Sequence, residues 1–309
     1  MSNATLMKAV KAVNFISGEA VSGQKLMRHR AAMERAGRIA PKGDVEISEL
    51  AVGNIACEAI RPEYAHNPGY AILYAHGGGY VGGGLSYARI LASKLATATG
   101  FTTYTFDYRL APEHPYPAAL DDALTVWDYL TAGRYQPDHI IVAGESAGGN
   151  LALCLAQKLA AEKRPLPFRL ILFSPWTDMT GTSGSYETNE EVDPILTKEY
   201  VLNAAKVYMG DAGDPKDARF SPLFGDLGNL PETYIMVGRN EILLDDSVGL
   251  FDEITDQGGT AYLDIEESGW HVYQQMPVPI ASRAMKRMAA YISSQVYGDN
   301  IWEVTTGTK

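Results

Sequence analysis

Short apolar runs alternate along the chain with stretches in which apolar residues recur at helical spacing. Such runs are typical of strands buried on both faces of a sheet, and their alternation with helices indicates a parallel arrangement. Segments 45–50 and 55–60 instead alternate apolar and polar residues, which predicts an antiparallel pair. Further strands are predicted at 71–75, 101–106, 139–143, 168–173, 233–238 and 260–265, with helices at 86–99, 117–131, 147–162, 246–257 and 279–296. The pattern predicts an α/β fold with a mostly parallel, eight-stranded sheet and helices on both faces.

Two stretches fall outside this alternation. Residues 5–40 have an imperfect apolar stripe and predict one or two helices before the first strand. Residues 176–220 are rich in Gly, Thr, Ser and Asp, with a helix expected at 197–209. An insertion of that length between consecutive strands usually forms a lid over a functional site.

The junction at 144–149, with the sequence Gly-Glu-Ser-Ala-Gly-Gly, lies between a predicted strand and a predicted helix. So short a junction has room for one sharp turn, which strains the backbone of its apex residue. We expect glycine at 144 and 148 because a Cβ there would clash with the neighbouring strand and helix. The apex side chain, Ser146, is then directed into the cleft above the carboxyl end of the strand. This pattern is typical of a nucleophile elbow, although an ordinary strand-to-helix turn can also produce it.

A serine nucleophile needs a base, an orienting acid and donors for the oxyanion. Segment 76–79, His-Gly-Gly-Gly, follows a buried strand and would let backbone N–H groups approach a substrate carbonyl. A flexible glycine-rich hairpin is the alternative, since glycines recur at 82–84. His76 and Gly77 belong to this segment, and we expect His76 to hold it by hydrogen bonds.

Six histidines are candidates for the base: 29, 66, 76, 114, 139 and 271. Only His271 is expected on a loop after the last strand, where it would reach Ser146. A solvated loop histidine is the simpler interpretation of one such residue. The order of elbow, acid and histidine along the chain favours catalysis.

Together these segments resemble the bacterial hormone-sensitive-lipase-like (family IV) carboxylesterases of the α/β-hydrolase fold. The resemblance covers roughly residues 45–296. Besides 76–79 and 144–149, it rests on Asp-Tyr-Arg-Leu-Ala-Pro-Glu at 107–113 with Pro-Ala-Ala at 117–119 and Asp-Asp at 121–122, on Ser-Pro-Trp at 174–176, and on His-Val at 271–272.

The resemblance implies oxyanion donors at Gly78, Gly79 and Ala147. It implies a single α/β-hydrolase domain over 1–309, with a cap from about 1–42 and 176–220. It also implies hydrolysis of small carboxylic esters without a cofactor.

The triad acid is where this chain departs from the family. Many relatives place Asp just after the seventh strand, whereas residues 238–241 are Gly-Arg-Asn-Glu. Asn240 cannot carry the charge that steadies an imidazolium. Asp245 and Asp246 precede an expected helix, so N-capping is their simpler interpretation. Glu241 is nearest the strand end and is the favoured acid, with Asp245 as the alternative.

The amino-acid composition excludes some classes of binding partner. The chain has 26 Lys and Arg against 37 Asp and Glu, a formal charge of -11, which argues against nucleic acid. No apolar run is long enough to cross a membrane, and the N-terminus lacks the pattern of an export signal. Cys57 and Cys154 are expected in the core, and no residues show metal-ligand spacing. We therefore expect a cytoplasmic protein without metal or cofactor whose partner is a small-molecule ester.

The sequence leaves some alternatives open. An amidase, peptidase or thioesterase would use the same machinery, and a non-catalytic small-molecule receptor would share the fold. The presence of His271 argues against the receptor. The final strand is also a candidate for pairing across a homodimer.

Overall fold

Eight strands form one sheet in a computed structural model of the chain, which describes residues 20–40, 43–64, 69–210 and 213–297 together with Thr5, Met7 and Lys11. The strands are β1 (Val45–Val52), β2 (Ile55–Pro62), β3 (Ala71–Ala75), β4 (Thr102–Phe106), β5 (Ile140–Glu145), β6 (Arg169–Phe173), β7 (Thr233–Gly238) and β8 (Ala261–Glu266). Their order across the sheet is β1-β2-β4-β3-β5-β6-β7-β8. The β1–β2 and β2–β4 pairs are antiparallel and the others are parallel. The predicted fold class and strand number are confirmed.

The helices lie between the strands as the periodicity predicts. They are α1 (Gly23–Ile39), α2 (Leu85–Thr99), α3 (Ala118–Thr131), α4 (Ala147–Ala161), α5 (Ser185–Thr188), α6 (Lys198–Met209), α7 (Leu244–Asp256) and α8 (Pro279–Tyr297). The short α5 is a difference from the sequence prediction. Short 3₁₀ turns occur at Pro137–His139, Pro222–Phe224 and Tyr273–Gln275.

Apolar side chains on the two faces of the sheet form two separate clusters. Leu73, Val142 and Leu172 lie on one face, where α3, α4 and α7 pack. Tyr74, Ile141 and Phe173 lie on the other, where α2 and α8 pack. Successive residues of each central strand thus enter opposite clusters, which is why these strands are apolar throughout.

α1 confirms a helix in the second half of the expected helical segment 5–40. The first half of that segment lies outside the described residues, apart from the helical Thr5, Met7 and Lys11, and so does His66. Cys57 and Cys154 are buried and free, as expected. Within the described ranges, no helix combines the length and apolar character that a bilayer crossing needs. β8 is an edge strand, and its pairing across a homodimer stays a prediction.

Candidate active site

Ser146 lies at the apex of the turn from β5 into α4. Its backbone has φ 54° and ψ -122°, a conformation that costs a non-glycine residue free energy. A Cβ on Gly144 would lie 2.1 Å from the carbonyl oxygen of Gly148, and one on Gly148 would lie 2.1 Å from that of Ala75. The glycines therefore permit the close strand–helix contact that holds the serine in this strained position.

Residues 76–79, which we call the glycine segment, follow β3 and lie beside this turn. Gly78 and Gly79 have φ 115° and 64°, and a Cβ on Gly79 would lie 2.8 Å from the Tyr200 hydroxyl. Within the described part of the chain, the amides of Gly78, Gly79 and Ala147 donate no hydrogen bond to another group. Ala147 is the first residue of α4, where the helix dipole also favours negative charge.

His76, the first residue of this segment, and Glu145 are both fully buried. His76 Nδ1 lies 2.8 Å from the carbonyl oxygen of Gly77, and its ring stacks on Tyr108 with 4.2 Å between centroids. Burial lowers the pKa of His76 to about 4, which keeps the ring neutral. One Glu145 oxygen accepts hydrogen bonds from the Gly77 amide at 2.7 Å and from the Gln275 side chain at 3.2 Å. Glu145 thus links the glycine segment to the chain that follows His271.

Glu145 also accepts a hydrogen bond from the Tyr74 hydroxyl. Burial raises the pKa of Glu145 to about 8, and these hydrogen bonds oppose that shift. No local sequence signal marks Glu145 as functional, because its hydrogen-bond partners lie on other strands and loops.

The loops after β7 and β8 bring Glu241 and His271 together. His271 Nδ1 lies 3.5 Å from Glu241 Oε1, at the outer limit of a hydrogen bond. The other Glu241 oxygen accepts from the Ser174 hydroxyl at 2.9 Å and from the Gly238 amide at 3.1 Å. Ser174 also accepts a hydrogen bond from the Val272 amide at 3.1 Å, so one hydroxyl orients both loops.

The expected N-capping role of Asp245 and Asp246 is wrong. α7 begins at Leu244, one residue before the first aspartate, and its N-cap, Leu243, makes no side-chain cap hydrogen bond. Asp245 instead accepts from the Ser185 amide at 2.7 Å. Asp246 accepts from the amides of Thr177 and Asp178 at 2.8 and 2.9 Å. Both carboxylates therefore anchor the 176–220 insertion.

A further buried carboxylate lies near His271. Asp193 accepts hydrogen bonds from the amides of Ile195, Leu196 and Ile242 at 2.8, 3.0 and 2.9 Å. Burial raises the pKa of Asp193 to about 6, opposed by the nearby His271 and these amides. It fastens the insertion to the loop that carries Glu241, and the sequence offered no local signal for it.

Ser146 and His271 open into a single cavity of about 590 Å³. α1 contributes His29, Met33, Ala36 and Ile39 to its wall, α2 contributes Tyr87, Ile90 and Lys94, and α6 contributes Tyr200, Val201 and Ala204. Gly78, Gly79, Trp176, Leu196, Leu243 and Gln275 are among the other lining residues. Among the described residues, no group of three or more His, Cys, Asp or Glu is placed to hold a metal ion.

Comparisons with known proteins find a matching family and similar esterases. A family model described as alpha/beta hydrolase fold matches residues 72–275. An esterase of Acinetobacter venetianus is 34% identical over 268 residues, which cover 86% of this chain and 88% of that protein. An acetyl-hydrolase of Streptomyces hygroscopicus is 33% identical over 257 residues, which cover 82% and 83%.

Solved structures of esterases have the same fold as this chain. An esterase from the bacterial hormone-sensitive lipase family superposes with a TM-score of 0.87 at 32% identity, covering 96% of this chain and all (100%) of that one. The esterase EstE5, in crystals soaked with p-nitrophenyl butyrate, gives a TM-score of 0.87 at 32% identity, covering 95% and 98%.

Proposed function

The chain belongs to the hormone-sensitive-lipase-like carboxylesterases of the α/β-hydrolase fold, and we propose that it hydrolyses short-chain esters through an acyl-serine on Ser146. It is a carboxylic ester hydrolase, as its relatives named esterase and acetyl-hydrolase indicate. One observation supports the mechanism above all. The strained Ser146, the free amides of the glycine segment and His271 all lie at one cavity.

In the first half of the reaction, Ser146 Oγ attacks the ester carbonyl while His271 Nε2 takes its proton. Glu241, behind His271 Nδ1, fixes the tautomer and stabilises the imidazolium that forms. The amides of Gly78, Gly79 and Ala147 donate to the oxyanion of the tetrahedral intermediate. His271 then protonates the alkoxide leaving group, the alcohol departs, and an acyl-serine remains.

In the second half, water attacks the acyl carbonyl and gives its proton to His271. The new tetrahedral intermediate collapses, the Ser146 oxygen takes the proton back, and the carboxylic acid leaves. Proton uptake and release by one histidine balance over the cycle.

The preference for short acyl groups rests on the size and walls of the cavity. About 590 Å³ is in the range that encloses one drug-sized ligand, and both acyl and alcohol groups must share it. We assign the cap to about 1–42 and 176–220, since α1 and α6 from these two segments both line the cavity. The relatives named for acetyl hydrolysis and the butyrate soak of EstE5 also favour short acyl groups.

Replacement of the nucleophile tests this mechanism. Ser146→Ala should reduce kcat/KM for 4-nitrophenyl acetate by at least ~10⁴-fold, because loss of a triad member leaves little beyond binding and oxyanion stabilisation. A phosphonate ester should add one adduct mass to the wild-type protein and none to the variant. Ser48→Ala, a serine change on β1, is the matched control and should keep full activity. A folded Ser146→Ala protein with a tenth of the wild-type rate would refute the mechanism.

A further inference from the structure

Lys94 lies where two cavities meet. Its side chain lines the active-site cavity together with Tyr87 and Ile90 from the same face of α2. It also lines a groove of about 410 Å³ between α2 and α8, which we call the α2–α8 groove. Ser93, Thr97, Ser282 and Lys286 contribute the other polar side chains of that groove.

No acidic side chain among the described residues balances the positive charge of Lys94. No Asp or Glu of the described residues lines either cavity, although the chain has 37 acidic residues and a net charge of -11. Lys94 Nζ donates to the carbonyl oxygens of Gln274 and Met276 at 2.7 and 3.0 Å. It forms no ion pair with a carboxylate in the described ranges. Among the described residues that line the active-site cavity, it is the only lysine or arginine.

A partly buried ammonium without a counter-ion loses hydration that two neutral carbonyls replace only in part. An anion in contact with Nζ would compensate for the lost hydration. The attraction between the two charges is stronger in this region of low dielectric than in water. Ser93, which also lines the groove, is buried at 2% exposure, and its hydroxyl has no hydrogen-bond partner among the described residues.

We propose that Lys94 selects ester substrates that carry a second, ionised carboxylate, namely monoesters of short dicarboxylic acids. The inference rests on the proposed function, since the scissile ester must lie at Ser146 while the distal carboxylate reaches Lys94. Apolar residues that line the same cavity, such as Ile90 and Val272, are available to contact the methylene chain of the diacid. Lys94 is thus a specificity determinant and takes no part in the bond changes.

The test compares charged and neutral esters of the same shape. Ethanol release is measured for monoethyl succinate, glutarate and adipate and for their neutral isosteres ethyl 4-methylpentanoate, 5-methylhexanoate and 6-methylheptanoate. The readout is the ratio of kcat/KM for each charged ester to that of its isostere. Lys94→Met should lower this ratio roughly tenfold or more for at least one chain length, the loss expected for one charge-assisted hydrogen bond. Lys94→Arg keeps the charge and should retain most of the ratio.

The matched control is Lys286→Met, which removes a positive charge from the α2–α8 groove without touching the active-site cavity. Its ratio should stay within about twofold of the wild type. If Lys94 merely tethers residues 274–276, Lys94→Met would slow charged and neutral esters equally, and that result would overturn the proposal. Failure of the wild type to hydrolyse any of the six esters, charged or neutral, would instead refute the proposed function itself.

The pH dependence gives a second readout, in which titration rather than substitution removes the charge of Lys94. Burial lowers the pKa of Lys94 to about 8, so its charge is present below that pH and is lost above it. The wild-type ratio should therefore fall between pH 7 and pH 9, whereas that of Lys94→Arg should stay flat. The other titratable groups that face the two cavities, His29, Tyr87, Tyr200, His271 and Lys286, are present in both proteins and cancel in this comparison. Equal slopes in the two proteins would count against the proposal.

Discussion

The Glu241 side chain is held by contacts to both of its carboxylate oxygens, which fix its position beside His271. Its carboxylate is fully buried and is held by the Ser174 hydroxyl and the Gly238 amide, with His271 on its other oxygen. A Cβ on Gly238 would lie 2.4 Å from the amide of Trp270, so the acid loop and the histidine loop approach closely there. A glutamate near the strand end reaches His271 in this arrangement, whereas Asp245 is already bound to Ser185.

The matched pair Glu241→Gln and Asp245→Asn separates the two candidate acids. Glu241→Gln should lower kcat by ~10²–10⁴ with little change in KM, because the amide cannot stabilise the imidazolium by charge. Asp245→Asn keeps an acceptor for the Ser185 amide and should cost on the order of 1 kcal/mol of unfolding free energy while leaving kcat intact. Steady-state kinetics and urea unfolding measure both. An active Glu241→Gln beside a folded but inactive Asp245→Asn would assign the acid to Asp245.

Residues with local signals could be selected from the sequence, and residues with distant partners could not. Ser146 stands between glycines at a strand-to-helix junction, and the glycine segment follows a buried strand, so both are visible in a few residues. Asp193 and Glu145 bond to groups far along the chain, such as the Ile242 amide and the Gln275 side chain. Such partners become neighbours only when the insertion and the loops have folded onto the sheet.

At the scale of elements, α1 is fastened to the loop that follows the glycine segment. Arg30 donates to the carbonyl oxygens of Val81 and Ala111 at 2.7 and 2.9 Å. A Cβ on Gly37 would lie 1.9 Å from the Ser86 carbonyl oxygen, so α1 and α2 approach closely. The sequence predicted a helix here but not this clamp, because its partners lie 51 and 81 residues away. Removing α1 would therefore disturb the glycine segment as well as uncover the cavity.

The strand and helix bounds themselves were predictable to within a few residues, because apolar periodicity is a local property. The N-capping interpretation of Asp245 and Asp246 failed for the same physical reason that hid Asp193: distant backbone amides competed for those carboxylates.

The glycine segment permits a test at the element scale. Gly79→Ala should lower kcat by on the order of 10²-fold, because a Cβ at φ 64° would meet the Tyr200 hydroxyl and displace an oxyanion donor. Gly53→Ala is the matched control, since Gly53 has φ 59° in the β1–β2 turn with no atom within 4 Å of its Cβ position. Both changes should cost about 1–2 kcal/mol of stability from backbone strain. Only Gly79→Ala should change kcat. If the two variants had the same kcat, the glycine segment would have no part in the mechanism.

At the scale of the whole molecule, the cavity exists only where separate parts of the chain meet. The sheet presents Ser146 at the carboxyl end of β5, and α1 and α6, which line the same cavity, are more than 150 residues apart in the numbering of the chain. The sequence predicted helices in both segments but not the size of the cavity that they line, which depends on side-chain packing across those parts.

The acyl-chain preference tests this assembly. With 4-nitrophenyl esters from acetyl to hexadecanoyl, kcat/KM should be greatest between acetyl and hexanoyl, because a cavity of about 590 Å³ must also hold the alcohol group. Val201→Ala removes two methyl groups from the wall that α6 contributes, and the optimum should move toward longer acyl chains. Val207→Ala is the same change on the same helix away from the cavity, and its profile should match the wild type. Each substitution should cost on the order of 1–2 kcal/mol of stability, so a difference in profile between them reports the cavity rather than the fold. A wild-type optimum on hexadecanoyl esters, or the same profile in all three proteins, would show that this cavity does not set the acyl length.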